Sequence, residues 1–229
     1  MGEALLDKAI RVKSVRISEI EPIWIVDGKI RWHPVRRALG IEAFGINAYS
    51  AGAGDEVVET HDESGFGAGH HEELYVVVSG RATFTVGGRE LDAPAGTLVF
   101  LDDPQESRGA RAVEDGTTVL AIGGARGQAF RVSPWEYFAA AIPARKEKRW
   151  DDALALINEG LAQHPGNPSL LYNLGRIEAA TGQHEQAIEH VREAVAAYPI
   201  LREIAEQDPD LEPLRDDPRF SEALARPPA

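Results

Sequence analysis

The chain has 229 residues, of which 43% are hydrophobic and 27% charged, with no cysteine and a formal charge of −13 from 24 basic and 37 acidic side chains. So acidic a balance excludes a nucleic-acid backbone or an anionic membrane surface as the main partner. The lack of cysteine excludes disulfides, thiolate metal sites and a cysteine nucleophile, so any metal would rest on histidine and carboxylate.

At the N-terminus, MGEALLDKAIRVKSV interrupts each apolar run with charge. It therefore lacks the core of a signal peptide, and no later stretch reaches the length of a membrane span. The expected location is cytoplasmic.

From about residue 10 to residue 132 the hydrophobic period is mostly two, which predicts β-strands. IWIV and KIRW flank Asp27-Gly28, a pair suited to a type I′ hairpin. FGINAYS, ELYVVVSG, ATFTVGG, GTLVFL and TTVLAIGG follow as strands separated by AGAGD, SGR, GGRE, DAPAG and VEDG. Short strands so punctuated predict a barrel or sandwich.

At Ser133 the period changes to helical. Ser133-Pro134-Trp135-Glu136 offers an N-cap, a proline at the first helical position and a glutamate placed to close a capping box. The expected domains are therefore residues 1–132, all β, and residues 133–229, all α. Within the second, Ala153 aligns with Ala187 and Pro165 with Pro199, both 34 residues apart. That offset is the period of a tetratricopeptide repeat. Together with LYNLG at 171–175, Gly182 and Ala194 it makes residues 134–199 resemble such an array, closed by LREIAEQDPDLEPLRDDPRFSEAL as a cap. Two units and a cap are few for independent stability, so the first helix, with Trp135, Tyr137 and Phe138, is expected to lean on the β-domain or the array on a second subunit.

The chemistry-bearing stretch is His61 to Gly88, HDESGFGAGHHEELYVVVSGRATFTVGG. Side chains two apart on a strand share a face, so His71, Glu73 and Tyr75 project together. With His61 from a neighbouring strand end they predict a two-imidazole, one-carboxylate site, a donor set acceptable to zinc, iron, manganese or nickel. Asn47 and Tyr49 on FGINAYS are expected to line the same lumen. Arg36 and Arg37 are expected in internal ion pairs.

Residues 43–125 resemble the cupin superfamily. The likeness rests on AGAGDEVVETH, on Glu73 followed by six residues and Gly80, and on the Pro94-Ala95-Gly96 turn before TLVFL. The resemblance implies an antiparallel barrel whose lumen holds a divalent metal, with oligomerisation as a homodimer. The chain departs from the family's pattern at two ligand positions, where Glu63 replaces a histidine and Ser107 stands where the last histidine would be. Both are expected to line the lumen.

Two functions follow as expectations. In one, a metal on His61, His71 and Glu73 binds or acts on a small polar molecule. In the other, the β-domain is a non-catalytic scaffold or ligand-binding module, and the helical repeats mediate protein or peptide interaction or dimerisation. No phosphate-binding glycine loop and no nucleophile elbow is present in the sequence.

Overall fold

The computed structural model describes residues 13–225; the reading of residues 1–12 as lacking a leader lies outside them. The order is β1 (Ile23–Ile25), β2 (Ile30–His33), α1 (Val35–Leu39), β3 (Gly45–Ala51), β4 (Glu56–His61), β5 (Glu72–Ser79), β6 (Arg81–Val86), β7 (Arg89–Pro94), β8 (Leu98–Leu101), β9 (Arg108–Ala112) and β10 (Thr117–Gly124). The helices follow as α2 (Pro134–Ala140), α3 (Ile142–Lys146), α4 (Trp150–Gln163), α5 (Pro168–Ala180), α6 (His184–Ala197), α7 (Leu201–Gln207) and α8 (Pro218–Leu224).

The strands form two antiparallel sheets, in the orders β1-β2-β3-β10-β5-β8 and β4-β9-β6-β7. Both sheets contribute to one core: Tyr75, Val77, Val99 and Val119 from the first meet Val57, Phe84 and Ala110 from the second. The period-two pattern is legible in β8, where Val99 and Leu101 are buried and Leu98 and Phe100 are exposed on the outer face of an edge strand. The β1–β2 connection has φ +54° at Asp27 and +79° at Gly28, and Lys29 N–H donates to Val26 O at 3.1 Å, but Val26 is left-handed too, at φ +51°, and the strands stop at Ile25 and resume at Ile30, a wider turn than expected. A positive φ at both central residues is the type I′ signature.

The helices stack in pairs. Gly175 on α5 lets α6 approach closely, since a Cβ there would lie 2.8 Å from Val191 Cγ2 and 3.0 Å from Ala187 O. The C-terminal cap is continuous with this core through Leu201, Leu211, Leu214 and Phe220.

The junction between the β and α parts differs from expectation in one respect. Ser133 is the N-cap residue and Pro134 opens α2, but the Ser133 side chain makes no cap hydrogen bond and no capping box forms. Glu136 turns instead to Arg36, whose Nε donates to Glu136 Oε1 at 2.8 Å, and to Asn47, whose Nδ2 donates to Oε2 at 3.4 Å. A charged guanidinium has a stronger claim on a carboxylate than a neutral backbone amide. Of the three aromatic residues on this helix, Trp135 packs edge-on against Trp32 of β2 at 5.1 Å between centroids, while Tyr137 is buried in the helical core.

Candidate metal centre

Strand β4 ends at His61, and its last turn of backbone fixes the ring. His61 Nδ1 lies 2.7 Å from Glu59 O. A carbonyl accepts but cannot donate, so Nδ1 carries a proton; in the neutral imidazole Nε2 is left with its lone pair, and in the imidazolium it too carries a proton facing the carboxylates. That nitrogen lies 3.8 Å from Glu63 Oε1 and 3.7 Å from Glu73 Oε2. The three ligand atoms lie within 4.8 Å of one another, and no other group of three or more such side chains among the described residues does so.

Each carboxylate is held from behind. The 64–70 loop wraps Glu63, whose Oε2 accepts from Gly69 N at 2.9 Å and His71 N at 3.4 Å, leaving Oε1 toward His61. Glu73 Oε2 accepts from Tyr75 Oη at 2.5 Å and has the Arg108 Nε at 3.7 Å. Arg108 is fully buried; its terminal nitrogens donate to Pro104 O and Asp103 O, and its Nε has no hydrogen-bond partner.

These contacts set the protonation states. Burial alone would raise the Glu73 carboxyl, but hydrogen bonds from His61 and Tyr75 and the charges of His61 and Arg108 hold it below the usual carboxylate value. Burial would likewise lower the His61 imidazole, yet its bonds to Glu73 and Glu59 O and the nearby carboxylates lift it above its ordinary value. Tyr49 is raised well above the usual phenol value by burial first and then by the Glu73 charge. Glu59, at the rim, is raised chiefly by burial.

The site opens into a cavity of about 280 Å³ walled by Ile25, Ile30, Tyr49, Val58, Tyr75 and Trp135, with His61, Glu63, Glu73, Glu59 and Asp62 as its polar groups. A smaller inner chamber of about 40 Å³ shares Tyr49, Glu63, Glu73 and Trp135 and adds Asn47, His71, Ser133 and Glu136. The helical part completes the enclosure. Trp135 N donates to Gly67 O at 3.1 Å, Asn167 Nδ2 donates to Phe66 O at 2.6 Å, and Phe66 packs edge-on against Tyr198 at 5.0 Å.

The structure therefore brings His61 and Glu73 together, and the third member of the cluster is Glu63. His71 lies apart from the trio. Its Cβ and the Glu73 Cγ both stand over Gly123, within 3.4 Å of where a Cβ there would lie, so the two side chains share a face as strand alternation predicts, but the imidazole turns elsewhere. Its ring packs on Phe130 at 5.6 Å and lines the inner chamber. Asn47, Tyr49, Tyr75 and Glu63 all line the cavity or its chamber. Ser107 does not; it is exposed, and its carbonyl accepts from Gly87 N. The neighbouring Arg108 turns inward in its place, toward Glu73, one position away in strand phase and without a signal in the sequence.

The comparisons with known proteins divide along the same line as the fold. A tetratricopeptide repeat family model matches residues 144–199. The solved structures similar to the N-terminal half include cupin and RmlC-like proteins. One is a predicted oxalate decarboxylase from Thermotoga maritima, at 22% identity over 48% of this chain and 97% of that one, with a TM-score of 0.40. Another is a cupin protein from Bacteroides fragilis, at 21% identity over 43% and 80%, with a TM-score of 0.36. A third is KdgF from Halomonas sp., at 15% identity over 47% and 86%, with a TM-score of 0.37. No curated protein matches the chain. Among the described residues, no helix is long and apolar enough to cross a membrane.

Proposed function

We propose that the β-domain, residues 1–132, binds a divalent metal through His61, Glu63 and Glu73 and a small molecule in the adjoining cavity, with residues 133–229 as a second, helical domain. The observation that carries this reading is the orientation of His61. Its Nδ1 is committed to Glu59 O, and its Nε2 lies within 4 Å of one oxygen from each of two carboxylates, Glu63 being anchored through its other oxygen and Glu73 accepting from Tyr75. Separations of 3.7 and 3.8 Å suit ligands that each sit about 2.1 Å from a shared ion. One imidazole and two carboxylates suit zinc, manganese, iron or nickel. Three protein ligands leave coordination positions free, and an ion there would supply Lewis acidity or hold the small molecule directly.

The protein's own residues do the rest. Tyr75 and Arg108 keep Glu73 ionised and oriented, the 64–70 loop orients Glu63, and Trp135 forms part of the cavity wall. The test is metal analysis of the full chain purified without chelator, beside His61→Ala. Stoichiometric metal in the parent and its loss in the variant is the expected result; no metal in the parent refutes the reading.

A second reading concerns partners. A groove of about 310 Å³ between helices is lined by Phe138, Arg145, Tyr172, Asn173, Arg176 and Ile204, an amphipathic surface suited to a peptide. The exposed Leu98 and Phe100 on edge strand β8 support a homodimer formed there. Phe100→Glu is expected to lower the mass seen by light scattering to that of a monomer, and an unchanged mass removes this part of the reading.

A further inference from the structure

The cavity is built for a ligand that donates hydrogen bonds. Among the described residues, no lysine or arginine lines either the outer cavity or the inner chamber. The two guanidiniums nearby stand behind the wall, Arg108 against Glu73 and Arg36 against Glu136. The lining itself carries Glu59, Asp62, Glu63, Glu73 and Glu136. Even with both arginines and a divalent ion set against these five, a carboxylate charge is left over.

A second observation, independent of the carboxylates, points the same way. Asn47 lines the inner chamber, is 6% exposed, and has its Nδ2 committed to Glu136, while its Oδ1 has no hydrogen-bond donor. A buried acceptor without a donor costs about 1–3 kcal/mol. A ligand that supplies an N–H removes that cost. Beyond the chamber the wall is apolar and aromatic, with Tyr49, Tyr75 and Trp135 around Ile25, Ile30 and Val58.

We infer that this cavity takes a protonated primary amine on an apolar or aromatic body. The ammonium enters the inner chamber toward Asn47 Oδ1 and the carboxylates, and the body lies against the aromatic wall. A carboxylate or phosphate ligand would instead meet acidic side chains with no cationic partner on the lining. The inference rests on the cavity being a ligand site, and it does not require the metal.

The test is isothermal titration of the full chain, zinc-loaded and separately chelator-treated, with 2-phenylethylamine, 2-phenylethanol and 3-phenylpropanoate. The amine is expected to bind about tenfold more tightly than the alcohol, the difference between a charge-assisted and a neutral hydrogen bond. In the chelator-treated chain the acid is expected to give no heat. Asn47→Leu should remove most of the preference for the amine. Because that variant changes a buried position, Glu59→Gln at the solvent-exposed rim serves as a second, and should weaken the amine and not the alcohol. Amine binding in the chelator-treated protein upholds the inference even if the metal reading fails. Equal binding of the alcohol or the acid, or no amine binding by a chain that still takes up zinc, overturns it.

Discussion

The roles of Glu63 and His71 can be separated by replacing each while leaving the fold intact. Glu63→Gln keeps an oxygen to accept from Gly69 N and His71 N, so the 64–70 loop retains its anchor, but the anionic ligand oxygen facing His61 is lost. Outer-shell changes at metal sites already cost 10–100-fold in affinity, so loss of a ligand charge should cost at least about 100-fold, or about 2.7 kcal/mol. His71→Ala retains the backbone N–H that Glu63 accepts and removes only a ring packed on Phe130. Its effect on metal affinity should stay within about tenfold, below that of a lost ligand. Competition against a chromophoric zinc chelator measures both, with circular dichroism to show that each variant is folded. If His71→Ala loses as much affinity as Glu63→Gln, the imidazole is a ligand, and the assignment of Glu63 fails.

Three further outcomes are expected. In chelator-treated protein, His61 is raised and Glu73 lowered; their contribution to stability is therefore full between the unfolded values of about 4.3 and 6.5. It is lost as pH rises through the folded His61 value and as pH falls through the folded Glu73 value, so the melting temperature of the parent should fall more steeply above neutrality than that of His61→Gln. Arg36→Ala strands a Glu136 carboxylate that is 3% exposed and should cost about 3–5 kcal/mol in urea unfolding, whereas Arg36→Met with Glu136→Leu should recover most of it; equal loss in both would show that packing matters more than the charge. Gly175→Ala drives a methyl group into Val191 and the Ala187 carbonyl and should cost about 1–3 kcal/mol, and an unchanged unfolding midpoint would refute so close a packing of α5 on α6.

Strands such as β8 were legible because they alternate, and the helical repeats because Ala153 and Ala187 keep a 34-residue offset; β4, β7 and β9 were not, since β7 is exposed at five of its six positions and its residues read as the turns GGRE and DAPAG, while β9 is buried on both faces. The ion pair expected of Arg36 also formed, although its partner, Glu136, lies 100 residues away and had been assigned to a cap. The candidate site was only partly legible. His61 and Glu73 stand at strand positions whose facing can be counted. Glu63 does not, because a loop returns it to the site, and no periodicity describes a loop. His71 shares the face of Glu73 as alternation predicts, but its ring turns to Phe130, a contact from a distant segment that no local pattern announces. Arg108 gave no signal at all within DDPQESRGA, where a polar, turn-rich run reads as solvated; only its complete burial identifies it.

The seam made by Trp135, Glu136 and Asn167 has a thermodynamic consequence. These residues of the helical part reach the cavity wall, a buried guanidinium and the loop that holds Glu63. A ligand that occupies the cavity therefore binds only when both halves are folded and joined, and stabilises the union by RT ln(1 + [L]/Kd). In a calorimeter the halves should melt as one endotherm in the presence of a saturating ligand, and any shoulder seen without it should merge upward into that single peak.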